Sequence, residues 1–283
     1  MIQKLTLASL LLLTASCIQI GDFGKVTYAD MKSSEPSQGE TRLQAEVDMS
    51  VGELMIQPGE NDFTYKLDAR YNKEAYEPKV SMSRDGDTAK LKVTLEKTSS
   101  GTARGKNELD LRLNPQAVLA LTTKAGVGEA RIDLSDMKVE ELRLASGVGA
   151  TRLTMLTANP VRCKSFKIEA GVGALEATGL GNLNFESMRF EGGVGGAELD
   201  FSGAWENPGE IEIEVGVGGV EIRIPRDVGV RLRASESFLS GLDLNDFQKE
   251  GGGRYRSNNI DDARKVISIR LETGIGGVEI NWI

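Results

Sequence analysis

Six Gly-hydrophobe-Gly triplets punctuate the chain from residue 126 onward: Gly126-Val127-Gly128, Gly147-Val148-Gly149, Gly171-Val172-Gly173, Gly193-Val194-Gly195, Gly216-Val217-Gly218 and Gly274-Ile275-Gly276. The central residues of the first five are 21, 24, 22 and 23 positions apart, a period that belongs to stacked structural repeats. Apolar residues keep station around each triplet. Leu144, Ile168, Phe190, Ile213 and Leu271 stand four before the centre, and Leu142, Phe166, Met188, Ile211 and Ile269 stand six before. Ile132, Leu153, Ala177, Leu199, Ile222 and Ile280 stand five after. Apolar positions two apart around a glycine corner specify strands rather than helical turns. No rung of this length buries its own face, so several must stack. The expected fold is all-β: an N-terminal β-rich domain over 40–114, then a parallel β-helix-like solenoid over 115–283 with rungs of 21–24 residues. At the corners, Val148, Val172, Val194 and Val217 are expected to stack inward as one ladder, with Gly173 and Gly195 at positive φ.

The alternation starts before the triplets do. Leu43, Ala45 and Val47 lead to Val51-Gly52 and then to Leu54 and Ile56, a degenerate copy of the later repeat. Asp85-Gly86 reads as a hairpin turn between Val80-x-Met82 and Leu91-x-Val93-x-Leu95. Between Val217 and Ile275 the pattern loosens, and Gly251 to Asn259 forms a polar, glycine-rich excursion. Loops on a rigid scaffold are where binding concentrates, which makes Arg254, Tyr255, Arg256, Asn258 and Asn259 a candidate binding loop. The last strand runs to Trp282-Ile283, and an open solenoid end needs cover. The irregular 233–260 segment is expected to supply it, burying Trp282 and leaving a monomeric body. End-to-end stacking through Trp282 is the alternative.

Composition removes several chemistries. Histidine is absent, which excludes His-dependent triads, His metal sites and imidazole acid–base catalysis. A net charge of −8 with no basic face argues against nucleic acid, whose binding depends on phosphate neutralisation. Cys163 falls nine before Val172, in line with Val139 and Phe185 in the neighbouring rungs, and reads as a buried core thiol. Gly192-Gly193-Val194-Gly195-Gly196-Ala197 approaches the calcium β-roll repeat, but Ala197 stands where the liganding aspartate belongs. No metal, cofactor or catalytic residue is therefore assigned. Lys167/Glu169, Arg189/Glu191 and Arg270/Glu272 are two apart and should share the outer face as neighbours. Glu176, Glu198, Glu221 and Glu279 form a further row. Carboxylates in rows suggest the paired acids of a glycosidase, yet each recurs with the repeat and no aromatic platform accompanies it.

Two resemblances add to this reading. Lys4, the apolar run Leu5 to Leu13 and Thr14-Ala15-Ser16 before Cys17 resemble a bacterial lipoprotein signal, although Thr14 stands where leucine is usual. That likeness implies a signal peptide over 1–16, lipidation at Cys17 and a flexible tether over 17–39. The stretches Leu109 to Pro115, Thr123 to Gly128, Gly216 to Ile222, Tyr255 to Asn259 and Gly276 to Ile280 resemble the toast-rack family. Its relatives include adhesin-type β-helix proteins and the C-terminal domain of cell-wall-antibiotic-response (LiaF-like) proteins. The resemblance implies a β-helix on a secreted or membrane-attached protein and supplies no catalytic residues. Together these features lead to an expected role: a non-enzymatic, lipid-anchored bacterial envelope protein presenting a solenoid as an adhesion or interaction scaffold for an envelope protein or glycan. An envelope-stress regulator that binds a membrane sensor is the alternative, and a carbohydrate-active β-helix the third.

Overall fold

A computed structural model describes residues 26–98, 105–234 and 241–283; Cys17 and the signal region lie outside them. The first strands are β1 (Tyr28–Pro36), β2 (Arg42–Pro58), β3 (Phe63–Asn72), β4 (Tyr76–Asp85), β5 (Thr88–Lys97) and β6 (Glu108–Leu113). Long strands follow: β7 (Val118–Asp133), β8 (Lys138–Thr154), β9 (Ser165–Thr178), β10 (Ser187–Asp200) and β11 (Glu210–Ile224). The C-terminal group is β12 (Val228–Ala234), β13 (Leu242–Asp243), β14 (Phe247–Gly251), β15 (Arg254–Ser257) and β16 (Lys265–Trp282). The expected all-β solenoid is what forms.

Each rung is one strand bent at its glycine triplet. β7, β8, β9, β10, β11 and β16 pair in parallel, with Val127, Val148, Val172, Val194, Val217 and Ile275 in register. β2 joins the same ladder by pairing with β7, Val51 beside Val127. The 114/115 boundary therefore falls inside one continuous sheet that shares one core. The arm before the corner extends through β5 and β4, the arm after it through β6, β3 and β1.

The core fills the space between the two arms. The rows four and six before the corner and three and five after it are buried from β2 to β16. Every added rung thus covers the apolar face of the last, with roughly 1.5–3 kcal/mol for each large side chain taken out of water. Irregular segments close the third side. Leu134, Met155, Leu180, Phe201 and Trp205 pack inward there, and rung-to-rung backbone bonds continue, as from Met155 N–H to the Thr178 carbonyl at 3.0 Å.

The corner valines do not point inward. Val127, Val148, Val172, Val194 and Val217 are 42–50% exposed, and Ile275 is 72% exposed. The cause is parity. Inward residues four before and three after the centre are seven apart, so the chain changes face once between them. It does so before the valine, since Val215, two before the centre, is still buried while Val217 is exposed. The glycine after each valine then turns the corner with φ between +137° and +147°, a region closed to ordinary side chains. Positive φ at Gly173 and Gly195 agrees with expectation; the direction of the valines is the correction.

Residues 28–36 are strand, not tether. β1 pairs antiparallel with β3, Ser33 Oγ meets Tyr65 Oη at 2.9 Å and Met31 is half-buried. Short side chains and charges suit an edge strand, and they hid it from a reading based on apolar periodicity. At the other end the irregular segment does cover the last rung. β12 pairs with β16 from Lys265 to Leu271, and β13 pairs with it at Val278 and Glu279. Trp282 is half-buried and stacks on Phe247 with centroids 5.6 Å apart.

Candidate functional site

Stacking six corners converts a local backbone requirement into a surface. Neighbouring parallel strands stand about 4.8 Å apart, so Val127, Val148, Val172, Val194, Val217 and Ile275 form an apolar ridge roughly 24 Å long. Val51 continues it, partly packed against the core. Single exposed apolar residues are ordinary, but a contiguous line of them is a candidate interaction surface.

Grooves run along both flanks. One, of about 850 Å³, has Gly171, Gly193, Gly216 and Gly274 at the foot of the ridge and Glu169, Glu191 and Glu214 along its wall. The other, of about 640 Å³, has a floor of Ala150, Ala174, Gly196 and Gly219 with Glu198 and Glu221 beyond. The residues immediately beside the ridge in both grooves are glycine or alanine, so the ridge stands clear of its surroundings.

The outer charges pair as the two-residue spacing requires. Lys167 reaches Glu169 at 2.6 Å and Arg189 reaches Glu191 at 2.5 Å, while Arg270 lies 3.5 Å from Glu272. The hydrogen bond from Arg189 holds the Glu191 carboxyl below its ordinary range. In the second row Arg223 bridges Glu198 and Glu221, and Arg152 bridges Glu129 and Glu176. These exposed pairs each contribute little stability. They leave an acidic margin on both sides of the ridge without building a buried proton-transfer site.

The candidate loop at 251–259 is organised differently from expectation. Arg254, Tyr255 and Arg256 belong to β15, which pairs with β12 and β14. Tyr255 is buried at 9% exposure, whereas Arg254 is exposed. Asn259 is structural: its amide donates to the carbonyls of Arg226 and Val228 at 2.8 and 3.0 Å. Asn258 sits in the turn, its N–H donating to the Asp246 carbonyl at 2.8 Å. Cys163 is fully buried as expected, and burial pushes its thiol up to about 12, far from a reactive thiolate. Among the described residues no group of three or more Cys, Asp or Glu side chains converges as a metal site. No helix among them is long and apolar enough to cross a membrane.

Sequence reasoning missed Asn159, a 2%-exposed residue of the third side. Its amide donates to the carbonyls of Val139 and Leu183 at 2.7 and 2.9 Å and accepts from Val139 N–H at 3.0 Å. The signal that locates it is a recurring Asn-Pro pair, at 114–115, 159–160 and 207–208.

Residues 23–178 match the N-terminal domain of toast_rack, DUF2154, and residues 173–280 match the C-terminal domain of LiaF, a cell wall-active antibiotics response protein. No curated protein shows significant sequence similarity to the chain. Among solved structures, a candidate cell adhesion protein from Clostridium sporogenes ATCC 15579 is similar at 19% identity and a TM-score of 0.47, over 91% of this chain and all of that one. A candidate adhesin from Bacteroides fragilis NCTC 9343 is similar at 11% identity and a TM-score of 0.42, over 92% of this chain and 98% of that one.

Proposed function

The chain belongs to the toast-rack family, and from that premise we propose that it is a non-enzymatic protein of the bacterial envelope whose solenoid is an adhesion or interaction scaffold. The exposed ridge from Val127 to Ile275 carries this reading. A protein segment fits it better than a glycan, because the ridge is aliphatic and offers no ring on which a sugar could stack. Beside the ridge Glu169, Glu191, Glu212 and Glu214 outnumber their partners Lys167 and Arg189, and this acidic excess favours a partner whose apolar stripe is bordered by lysine or arginine.

Serine at Val172, Val194 and Val217 tests the ridge. These side chains are about half exposed, so the triple variant should melt within a few degrees of the parent. Beads coated with the parent protein should adhere to intact envelope preparations, and beads coated with the variant should adhere roughly tenfold less, as when central interface anchors are truncated. Equal adhesion by the two would remove the ridge from the function. The regulatory alternative draws on the match of residues 173–280 to an antibiotic-response domain. It requires the ridge to capture a membrane sensor rather than a surface.

Lipid anchoring at Cys17 is the second part of the proposal, supported by the resemblance of its flanking residues to a lipoprotein signal. Cys17→Ala, or globomycin treatment of the parent, should shift the protein from the detergent phase to the unprocessed or soluble fraction. Unchanged partition would leave the scaffold without this anchor.

A further inference from the structure

Cations on the outer face of the middle rungs are neutralised in place. Lys167 lies within 3.2 Å of Glu191 as well as beside Glu169, and Arg189 is shared by Glu191, Glu212 and Glu214. The capped end reverses this arrangement. Arg233 stands opposite Arg254 of β15 and opposite Arg270 of β16, and Arg231 stands opposite Arg256. Like charges directly across neighbouring strands destabilise a sheet. Arg270 and Arg256 have Glu272 at 3.5 Å and Asp261 at 3.6 Å. Arg231, Arg233 and Arg254 are exposed, with no carboxylate at ion-pair distance among the described residues.

A chain of net charge −8 therefore gathers five arginines at facing positions of three strands, where they weaken the pairing. All five are arginine rather than lysine. The guanidinium presents a planar fork of N–H donors that matches the oxygens of a phosphate, which a lysine ammonium cannot do. A cavity of about 760 Å³ opens over Arg231, Arg233, Arg254 and Arg270, lined also by Ser187, Ser268 and Tyr255.

We propose that this cap-end groove binds a linear phosphate-bearing polymer, held by the guanidinium groups of Arg231, Arg233 and Arg254. The arginines form a track across strands about 4.8 Å apart, and a groove admits a single chain where a flat layer of lipid headgroups reaches only the rim. Glu210, Glu250 and Glu212, the last paired with Arg189, also border the cavity. Their carboxylates oppose the ligand and limit how far along the face it extends. The ridge plays no part in this site, so the two functions fail independently.

Inorganic polyphosphate titrated into the full-length protein tests the proposal. Binding should saturate and weaken steeply with added salt, because the polymer sheds counterions as its phosphates are neutralised. Arg233→Gln and Arg254→Gln should each weaken it by roughly tenfold, the loss expected for one charge-assisted hydrogen-bonded contact. Arg233→Lys should retain the salt dependence with reduced affinity. Glu250→Gln should bind more tightly than the parent, a change in the opposite direction that damage to the fold does not mimic. Phosphatidylglycerol and phosphatidylcholine vesicles form the comparison: the proposed Cys17 lipid should hold the protein on both alike, and Arg233→Gln and Arg254→Gln should leave that retention unchanged. The proposal is overturned if polyphosphate fails to bind, if the arginine variants bind it like the parent, or if those variants are released selectively from the anionic vesicles.

Discussion

Gly195→Ala lowers the stability of the folded chain by about 3–5 kcal/mol, whereas Gly196→Ala, one residue further on, is neutral or stabilises by up to about 1 kcal/mol. Two glycines in sequence thus respond oppositely to the same methyl group. At Gly195 φ is +147°, and an added Cβ would lie 1.8 Å from the carbonyl oxygen of Gly173 in the preceding rung. A backbone oxygen cannot rotate aside as a side chain would, and moving the strand breaks its register with both neighbours. Strain at the residue and overpacking against the ladder therefore add. At Gly196 an added Cβ meets nothing within 4 Å, and alanine lowers the entropy of the unfolded chain. Thermal melts give the comparison: at roughly 2–4 °C per kcal/mol for a chain of this size, the first variant should melt about 6–20 °C below the parent. Melting of Gly195→Ala at the parent temperature would disprove the close approach of successive corners.

Much of this architecture was legible because burial imposes its period on composition. The rows ending at Leu271 and Ile280 are apolar in every rung except at Thr123, since each faces the same row in the next. Even the corner's change of face was present in the sequence. Apolar rows four before and five after the centre are nine apart, an odd number that a simple alternating strand cannot place on one side. An inward valine ladder follows only if the change of face is placed after the centre rather than before it. What stayed illegible lacks a period. β1 stands at a sheet edge and needs only one polar face, so Tyr28 to Pro36 resembles a linker in composition. The facing arginines at 231, 233 and 254 lie on strands joined antiparallel, and no spacing in the sequence announces that pairing. Arg254 was singled out for its place in a glycine-rich stretch; its partners come from the topology.

Asn159 illustrates the same limit and carries the second large effect. The third side of the solenoid has no long strand at this level; scattered backbone bonds, such as Asn159 N–H to the Asn182 carbonyl at 2.8 Å, join the rungs, and a side chain bridges the gaps between them. The residue before a proline is held extended, which aims the Asn159 amide along the stack. It joins Val139 of one rung to Leu183 of the next. Asn159→Ala would leave one N–H and two carbonyls without partners in the interior. At about 1–3 kcal/mol for each buried unsatisfied group, partly relieved by local adjustment, the expected loss is about 3–5 kcal/mol. Asn207 provides the control. Its amide reaches only the Asn184 side chain, at 2.8 Å and half-buried, so Asn207→Ala should cost under about 1 kcal/mol. Asn159→Asp then separates hydrogen bonding from packing. Its carboxylate would face two carbonyl oxygens in a buried site, which raises its folded pKa above that of the unfolded chain. A group raised in this way loses stability as pH rises through its folded pKa. The aspartate variant should therefore be closest to the parent at pH 4 and fall progressively behind it toward pH 7, while the alanine variant keeps a constant deficit. Parallel pH profiles for the two variants would show that Asn159 fills space rather than bridging the rungs.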